Sequence, residues 1–508
     1  MQTSVLDYLR SSAEKYPDSV ALVDKKNKIT YSEYNNISDR IAYELINMGL
    51  FKKPVAVITE KSVSAVVSFL GVAKSGNYYT VIDSKMPQER ICKIMDTFQP
   101  DAVICDTNNI GLVRDICNGS GIICYEDIIQ NDYHRDTCDV VRRIGSRIID
   151  TDILYVLFTS GSTGIPKGVI ITHRSVIDYI EWAADTFGFG HDNIWGNQAP
   201  FYFDNSVLDI YSSLRGGGVM HIIPQNCFSF PIRLLEYVRD NSINTVFWVP
   251  TVLTRVADLD ILDKCDIDCM DHILFAGEVM PAKQLNVWRR RLPKAVFANL
   301  YGPTEITVDC TYYICDREIQ DDEPVPIGIN CNNSDVIVLN EKNKPVELQE
   351  KGELCVRGSS LSLGYYNNPE RTKEAFVQNP LHNLYDEKIY RTGDIVHYNE
   401  RGELIYDGRA DTQVKHTGHR IELGEIETAV SAIEGIHMNA CLHKADGDQL
   451  VLFYSGEISS DIIRKTLSSK LPEYMLPNSY VSLKTMPLSI NGKIDRKKLK
   501  QEYGINEK

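Results

Sequence analysis

The chain has 508 residues, of which 43% are hydrophobic and 24% are charged, a composition typical of a folded globular protein. Its formal net charge of −15 argues against a general nucleic-acid-binding protein, whose surface would be basic. No apolar run approaches the roughly 20 residues of a membrane span, and the first residues lack the basic and apolar segments of a secretion signal. We therefore expect a cytoplasmic protein of about two to four domains.

Short apolar runs alternate with amphipathic segments through the first part of the chain. The runs that predict strands are residues 55–58, 102–105, 153–158, 245–249 and 272–275, and the segments that predict helices are residues 40–47, 63–74, 175–186 and 232–240. Strands and helices in this order form parallel sheets covered by helices. The fold class predicted for this part is α/β.

The pattern changes near residue 327. Residues 327–409 contain strand-like runs at 336–339, 353–357 and 402–406 with glycine turns, which predicts a β-rich subdomain. The last part has a helix that starts near Gly424 and a proline-punctuated segment, typical of an α+β domain. The expected architecture is a large N-terminal domain of two α/β layered subdomains plus a β-rich subdomain, followed by a small mobile C-terminal α+β domain.

Thirteen cysteines are scattered along the chain. The pairs Cys265/Cys269 and Cys310/Cys315 lack the second Cys or His pair that a zinc site would need. We expect reduced cysteines and no zinc site built from them.

The most informative segment is residues 157–168, where an apolar run ends in a loop of glycine and hydroxyl residues. Glycine lets successive backbone N–H groups turn inward, hydroxyl residues add donors, and Lys167 supplies a cation, so the loop is suited to bind phosphates. It is not a Walker A loop, because Pro166 and Gly168 flank Lys167 where that pattern needs a glycine and a hydroxyl residue. The apolar runs on both sides disfavour the alternative of a solvated linker.

Further short motifs occur along the chain in a characteristic order. They are residues 29–33 (ITYSE), 203–206 (FDNS), 299–305 (NLYGPTE), 352–354 (GEL), 390–394 (YRTGD), 408–411 (GRAD), 420–427 (RIELGEIE) and 491–496 (NGKIDR). Together with the phosphate loop they resemble the motifs of the adenylate-forming enzymes, a superfamily of acyl-CoA synthetases, luciferases and adenylation domains of nonribosomal peptide synthetases. Within it the chain most resembles stand-alone enzymes that load an amino acid, such as D-alanine, onto a carrier protein.

The resemblance implies ATP and Mg²⁺ as cofactors and a reaction in which a carboxylate attacks the α-phosphorus of ATP. Two anions then meet, so positive charge is the central requirement. By resemblance Lys493 bridges the carboxylate and the α-phosphate, Glu305 holds Mg²⁺, and Thr159 supports catalysis. The implied ATP-binding residues are Thr159, Ser160, Gly161, Ser162, Thr163, Gly164, Lys167, Asn299, Leu300, Tyr301, Gly302, Pro303, Thr304, Asp394, Arg409 and Lys493.

Each of these side chains has a chemical property that suits one part of the nucleotide. Tyr301 offers a flat face for adenine, Asn299 offers a donor and an acceptor for its exocyclic edge, and Asp394 can accept both ribose hydroxyls. Arg409 would contact ribose or phosphate.

Asp204 indicates the substrate class, since a plain acyl group gives no reason to bury a carboxylate in an apolar pocket. In the amino-acid branch of the superfamily the matching Asp pairs with the substrate ammonium. By the same resemblance the substrate-binding residues are Asp204, Asn205, Leu208, Phe247, Leu274, Ala276, Leu300, Val308 and Asp309. The bulky walls favour a small neutral amino acid, whereas Asp309 either pairs with a substrate hydroxyl or amine or merely faces solvent or a structural partner.

The resemblance also implies a hinge at Asp411, between a large adenylation (AMP-binding) domain over residues 1–410 and a small mobile domain over residues 411–508. Residues 413–420 resemble the segment that forms a tunnel for the carrier thiol, where Gly418 lets a phosphopantetheine arm approach the backbone. His416 and Thr417 depart from the more usual apolar-plus-basic pair.

Only fifteen residues follow Lys493, too few for a carrier segment, so we expect a separate phosphopantetheinylated carrier protein as partner. Two rival functions stay open. One is an acyl- or aryl-CoA ligase, against which Asp204 argues, and the other is a catalytically silent homologue that acts as a binding or regulatory module.

Overall fold

Layers of helices and sheets make up most of the computed structural model, which describes residues 2–117, 121–131, 137–161, 165–410, 413–488 and 494–505. Among these residues no helix is both long enough and apolar enough to cross a bilayer. All thirteen cysteines carry free thiols, as expected.

A nine-stranded sheet is the largest layer. In spatial order its strands are Ile329–Asn330, Thr311–Ile314, Val296–Tyr301, His272–Phe275, Thr245–Trp248, Ile194–Asn197, Val219–Ile222, Val20–Val23 and Lys28–Thr30. The inner strands pair in parallel, and the pairings at both edges are antiparallel. The carboxyl ends of the inner strands therefore meet at one edge of this sheet.

A six-stranded sheet forms the second α/β layer. Its strands in spatial order are Gly121–Cys124, Ala102–Cys105, Pro54–Thr59, Tyr78–Asp83, Ile153–Thr159 and Lys167–Thr172. Its last two strands pair antiparallel, which departs from the parallel pairing predicted for these sheets. The physical reason is the short phosphate loop, which is long enough for a hairpin but not for a parallel crossover.

The C-terminal part of the chain contains three further sheets among the described residues. Strands Ser334–Leu339, Gly352–Gly358, Lys388–Tyr398, Phe376–Gln378 and Leu404–Arg409 form an antiparallel five-stranded sheet, the predicted β-rich part. Strands Gln413–His416 and His419–Glu422 form a hairpin, and strands Ile436–Lys444, Gln449–Gly456 and Ser479–Ser482 form a small sheet.

Helices cover the sheets. The α-helices are Leu6–Lys15, Tyr31–Asn47, Val63–Lys74, Gln88–Phe98, Ile110–Ile116, Tyr125–Gln130, Thr137–Gly145, His173–Phe187, Asn205–Gly216, Gln225–Ser229, Pro231–Asp240, Pro250–Asp258, Ala282–Arg291, Pro369–Ala375, Leu423–Ser431, Ser460–Ser468 and Arg496–Glu502. Single 3₁₀ turns are Leu262–Lys264, Thr304–Ile306 and Glu473–Met475.

Local sequence explains where the helices next to the site begin and end. Helix His173–Phe187 starts where the Thr172 hydroxyl accepts the Ser175 backbone N–H at 3.1 Å, and it stops at Gly188, whose φ of 71° suits glycine. The strand predicted at residues 245–249 ends at Trp248, because Pro250 opens the next helix. The helix predicted at residues 40–47 begins nine residues earlier, at Tyr31, because Thr30 caps it there. The remaining predicted strands and helices are confirmed with small shifts at their ends.

One apolar cluster joins the two large sheets. It includes Phe69 and Tyr155 from the six-stranded side and Phe247, Leu274 and Leu300 from the nine-stranded side. A separate cluster forms the core of the C-terminal part, where Ile426 and Leu452 are fully buried. Burial of this apolar surface is the main stabilising contribution and fixes the edge at which the site residues meet.

Candidate active site

Three of the expected pocket residues, Phe247, Leu274 and Leu300, lie on three neighbouring parallel strands. Phe247 lies opposite Leu274, and Leu274 lies opposite Ala298, in strands Thr245–Trp248, His272–Phe275 and Val296–Tyr301. All of the expected apolar wall residues are buried in the same cluster: Leu208, Phe247, Leu274, Ala276, Leu300 and Val308. This cluster spans both large sheets, and the assignment of these residues to one pocket wall stays a prediction.

Asp204 and Asn205 lie where a loop enters helix Asn205–Gly216. Asp204 occupies the N-cap position but makes no capping hydrogen bond with its side chain. Burial raises the pKa of Asp204 to about 6, against the lowering effect of a hydrogen bond from Thr304. A carboxylate that is destabilised by burial and free of a capping role gains from a cationic partner.

Asp309 is 2% exposed and has a protein partner. The Tyr179 hydroxyl donates to its Oδ2 at 2.6 Å, and burial raises the pKa of Asp309 to about 8. The two residues before it have positive φ, 64° at Thr307 and 70° at Val308. Both are β-branched, so this turn holds backbone strain of the kind that concentrates at functional sites.

Tyr301, Asp394 and Arg409 form a buried contact set. The Tyr301 hydroxyl donates to one oxygen of Asp394, and Arg409 Nη1 donates to the other at 2.7 Å. Lys415 Nζ lies 5.1 Å from the centre of the Tyr301 ring, a cation–π distance. Burial lowers the pKa of Lys415, while the charge of Asp394 opposes that effect.

Asn299 and the turn after it make more contacts within the protein than the sequence indicates. The Asn299 side-chain N–H₂ donates to the Pro326 carbonyl at 2.8 Å, so its donor capacity is partly used within the protein. Gly302 is required by close packing, since an added Cβ would lie 2.4 Å from the Val308 carbonyl oxygen. Pro303 then leads into the turn Thr304–Ile306.

The described part of the phosphate loop leaves one hydroxyl open. Thr159 Oγ1 is buried and has no hydrogen-bond partner among the described residues. Ser160 Oγ donates to the Arg420 carbonyl at 2.8 Å, and the Gly161 N–H donates to Glu425 at 3.2 Å. Lys167 Nζ lies 3.5 Å from Glu422. Ser162, Thr163 and Gly164 lie outside the described residues.

Glu305 is fully buried and ion-paired. Arg420 Nη1 lies 2.7 Å from its Oε2, and the Tyr365 hydroxyl donates to its Oε1 at 2.7 Å. Burial alone would raise the pKa of Glu305, but the charges of Arg420 and Lys167 lower it to about 2. Glu305 is therefore an ionised carboxylate with both oxygens engaged.

Other contacts hold residues 413–426 against the sheets. Arg90 Nη1 lies 2.7 Å from Glu425 Oε1, with both side chains under 5% exposed. Gly418 has a φ of 81°, and an added Cβ there would lie 2.6 Å from Val249 Cγ1. The Gly418 N–H also hydrogen-bonds the Glu278 carboxylate. The expected tunnel glycine is thus at a point of close backbone approach.

Two further expected residues, Lys493 and Asp411, lie outside the described residues. Sequence reasoning missed four side chains that contact expected ones: Tyr179, Tyr365, Lys415 and Arg420. Their partners are distant along the chain, so no local spacing signals them. Arg420 belongs to the motif at residues 420–427, which was the one available signal.

Comparisons with known proteins identify the family of the chain. A family model described as AMP-binding enzyme matches residues 9–366. The D-alanine–D-alanyl carrier protein ligase of Bacillus licheniformis is 30% identical over 522 residues, which cover 99% of this chain and 100% of that protein. Tyrocidine synthase 3 of Brevibacillus parabrevis is 31% identical over 493 residues, which cover 96% of this chain and 7% of that much longer protein.

A solved structure has the same fold. The Vibrio cholerae adenylation domain AlmE, in complex with glycyl-adenosine-5'-phosphate, matches with a TM-score of 0.85 and 23% identity, covering 100% of this chain and 98% of that one.

Proposed function

The chain belongs to the AMP-binding enzyme family, and on this premise we propose that it joins an amino acid to AMP, releasing pyrophosphate from ATP. It then transfers the aminoacyl group to the phosphopantetheine thiol of a separate carrier protein. The relative named as a D-alanine–D-alanyl carrier protein ligase, matched over its whole length, supports both steps.

Asp204 is the observation that carries the amino-acid assignment. Its pKa is raised by burial, so the ionised form lacks sufficient stabilisation in the free protein. A substrate ammonium group supplies the missing positive charge, and an acyl or aryl acid does not. The apolar walls around this end of the sheet leave Asp204 as the polar anchor for the substrate.

The nucleotide site follows from the buried set of Tyr301, Asp394 and Arg409. We assign the tyrosine ring to adenine and the Asp394 carboxylate to ribose, with the open Thr159 hydroxyl directed to phosphate. Lys493 is assigned to the α-phosphate and the substrate carboxylate by its motif.

Glu305 fits a magnesium ion chemically, since it is an ionised oxygen ligand with a pKa of about 2. In this arrangement Arg420 pairs with one of its oxygens. We propose that Glu305 holds Mg²⁺ only when Arg420 has moved away. The ion, when bound, neutralises triphosphate charge.

This requirement supports a mobile C-terminal part. We propose residues 1–410 as the large domain and residues 411–508 as a small domain that rotates about Asp411. With the small domain placed as described here, Gly418 approaches Val249, which suits the thiol-transfer step. The free thiols of the chain fit a reducing compartment, so we place the protein in the cytoplasm, where ATP is available.

The substrate is proposed to be D-alanine or another small neutral amino acid. Its side chain would meet bulky buried residues, including Phe247 and Leu300. Asp309 already accepts a hydrogen bond from Tyr179, which favours its structural role over recognition of a substrate amine.

Amino-acid-dependent pyrophosphate exchange tests the proposal. The panel comprises glycine, both enantiomers of alanine, serine, 2,3-diaminopropionate, an aryl acid and a fatty acid. Exchange with a small neutral amino acid supports the assignment. Exchange with only the last two acids identifies an acyl- or aryl-CoA ligase, and no exchange with any acid identifies a silent homologue.

A further inference from the structure

Two imidazoles and a carboxylate converge outside the proposed active site. His416 Nδ1 lies 2.9 Å from Asp448 Oδ1, and His443 Nε2 lies 2.6 Å from the same oxygen. The three ligand atoms all lie within 4.8 Å of one another. The two other described contacts of this type, His382 with Glu387 and His397 with Asp407, each contain one imidazole.

The backbone holds these ligands at two tight turns. His416 ends one strand of the hairpin Gln413–His416/His419–Glu422, whose turn residues Thr417 and Gly418 have φ of 49° and 81°. Asp448 has a φ of 47° in the turn between strands Ile436–Lys444 and Gln449–Gly456. The Thr417 N–H donates to Asp448 Oδ2 at 2.8 Å, so the carboxylate is already oriented between the two hairpins.

From this convergence we propose that His416, His443 and Asp448 bind a divalent transition-metal ion, with Zn²⁺ as the best match. Two imidazole nitrogens and one carboxylate oxygen are a common ligand set for zinc, with water as the fourth ligand. Ligand atoms around tetrahedral zinc are about 3.4 Å apart, so the two imidazole–carboxylate distances of 2.9 and 2.6 Å have to lengthen by less than about 1 Å, and the two imidazoles, whose ligand atoms lie within 4.8 Å of each other, have to adjust around the ion. Each imidazole coordinates through the ring nitrogen that now faces Asp448, and its proton then resides on the other ring nitrogen, with any excess proton released to solvent.

The ion has an access route and a structural consequence. Side chains of His443 and Asp448 are 20% and 33% exposed, while His416 is 5% exposed. Bound Zn²⁺ would fix the turn at Thr417 and Gly418 to the small sheet. Gly418 contacts Val249 and Glu278, so the ion would stiffen the segment that approaches the proposed thiol path.

The test uses the full chain, treated with chelator and titrated with ZnCl₂ by calorimetry in buffer that contains Mg²⁺. We expect one equivalent of Zn²⁺, and we expect His416→Gln and His443→Gln each to weaken binding at least about tenfold, since even outer-shell changes cost that much. Zn²⁺ should raise the Tm of the wild type and not that of either variant. His397→Gln, which removes an imidazole from a one-histidine pair, is the matched control and should bind like the wild type.

The wild type alone provides a second test, which does not depend on the folding of the variants. Co²⁺ at an N/O site gives ligand-field absorption without thiolate charge-transfer bands. Thiolate bands would assign the ion to the free cysteines and overturn the proposal. Absence of saturable binding, or equal affinity in folded His416→Gln, His443→Gln and wild type, would overturn it as well.

Discussion

Replacing Arg420 with alanine should impair the proposed transfer step and leave the proposed adenylation step intact. Arg420 contacts the buried Glu305 carboxylate at 2.7 Å, and their side chains are 16% and 0% exposed. In the described arrangement this pair links the C-terminal hairpin to the proposed magnesium ligand. The substitution leaves Glu305 buried with less compensation.

The magnitude follows from the burial of the pair. Removing one partner of a buried ion pair costs roughly 3–5 kcal/mol. Lys167 also stabilises the Glu305 carboxylate, so the lower end applies. A loss of about 3 kcal/mol lowers the population of the docked arrangement roughly a hundredfold, because each 1.4 kcal/mol is a factor of ten.

Two assays report the two steps. Transfer of the aminoacyl group to a holo carrier protein should fall about a hundredfold in Arg420→Ala, in line with the ion-pair cost. Pyrophosphate exchange should be retained, and its half-maximal Mg²⁺ concentration should decrease, since Arg420 no longer competes for Glu305.

The chain offers two matched controls. Arg90→Ala breaks the pair with Glu425, which also docks the C-terminal part, so transfer should fall and the half-maximal Mg²⁺ concentration should decrease as in Arg420→Ala, because undocking also removes Arg420 from Glu305. Lys74→Ala breaks a buried pair with Asp39 inside the N-terminal part and should not separate the two steps. Equal losses of exchange and transfer in folded Arg420→Ala, or an unchanged Mg²⁺ requirement, would refute the reasoning.

Four further outcomes are expected. Asp204→Ala should weaken amino-acid binding by roughly 2–5 kcal/mol with ATP affinity nearly unchanged, measured as separate KM values; loss of ATP binding instead would move Asp204 out of the pocket. In the wild type, kcat/KM for the amino acid should fall about tenfold per pH unit below about 6, since the raised pKa of Asp204 means that its carboxylate protonates there and loses its attraction for the ammonium. Lys493→Ala should lower exchange by at least about 10²–10³ in a folded protein, and a fall of less than about tenfold would contradict its role. Asp411→Pro fixes φ near −65° and should retain exchange while transfer to the carrier is lost; equal loss of both, with unchanged circular dichroism, counts against rotation.

Sequence patterns predict the layers well because the hydrophobic pattern of a strand or helix is a property of that segment alone. The run at residues 153–158 is continuous and apolar, and strand Ile153–Thr159 is buried in the sheet. The same pattern does not specify strand direction, which loop length determined at Lys167–Thr172. Residue spacing alone therefore predicts which segments form the core better than how they pair.

Site residues were predictable where they belong to a motif and not where a distant partner decides their role. Asp309 has two open interpretations in the sequence, because its partner Tyr179 lies 130 residues earlier. Glu305 looks like an open carboxylate, and its pairing with Arg420 spans 115 residues. Such pairings arise from tertiary packing, so neither composition nor spacing contains them.

The hairpin that carries Arg420 gives an electrostatic reason for domain rotation. Lys415 and Arg420 are cross-strand partners, so their side chains share one face of the hairpin. Arg420 contacts Glu305, and Lys415 lies by Tyr301 and interacts with the charge of Asp394. Both carboxylates are buried and need positive charge or hydrogen-bond donors, which Mg²⁺ and ribose would supply when ATP is bound. In the described arrangement Arg420 meets this need at Glu305, whereas Tyr301 and Arg409 already engage both oxygens of Asp394 and Lys415 adds only its charge. Entry of ATP with Mg²⁺ and docking of the hairpin therefore compete for Glu305.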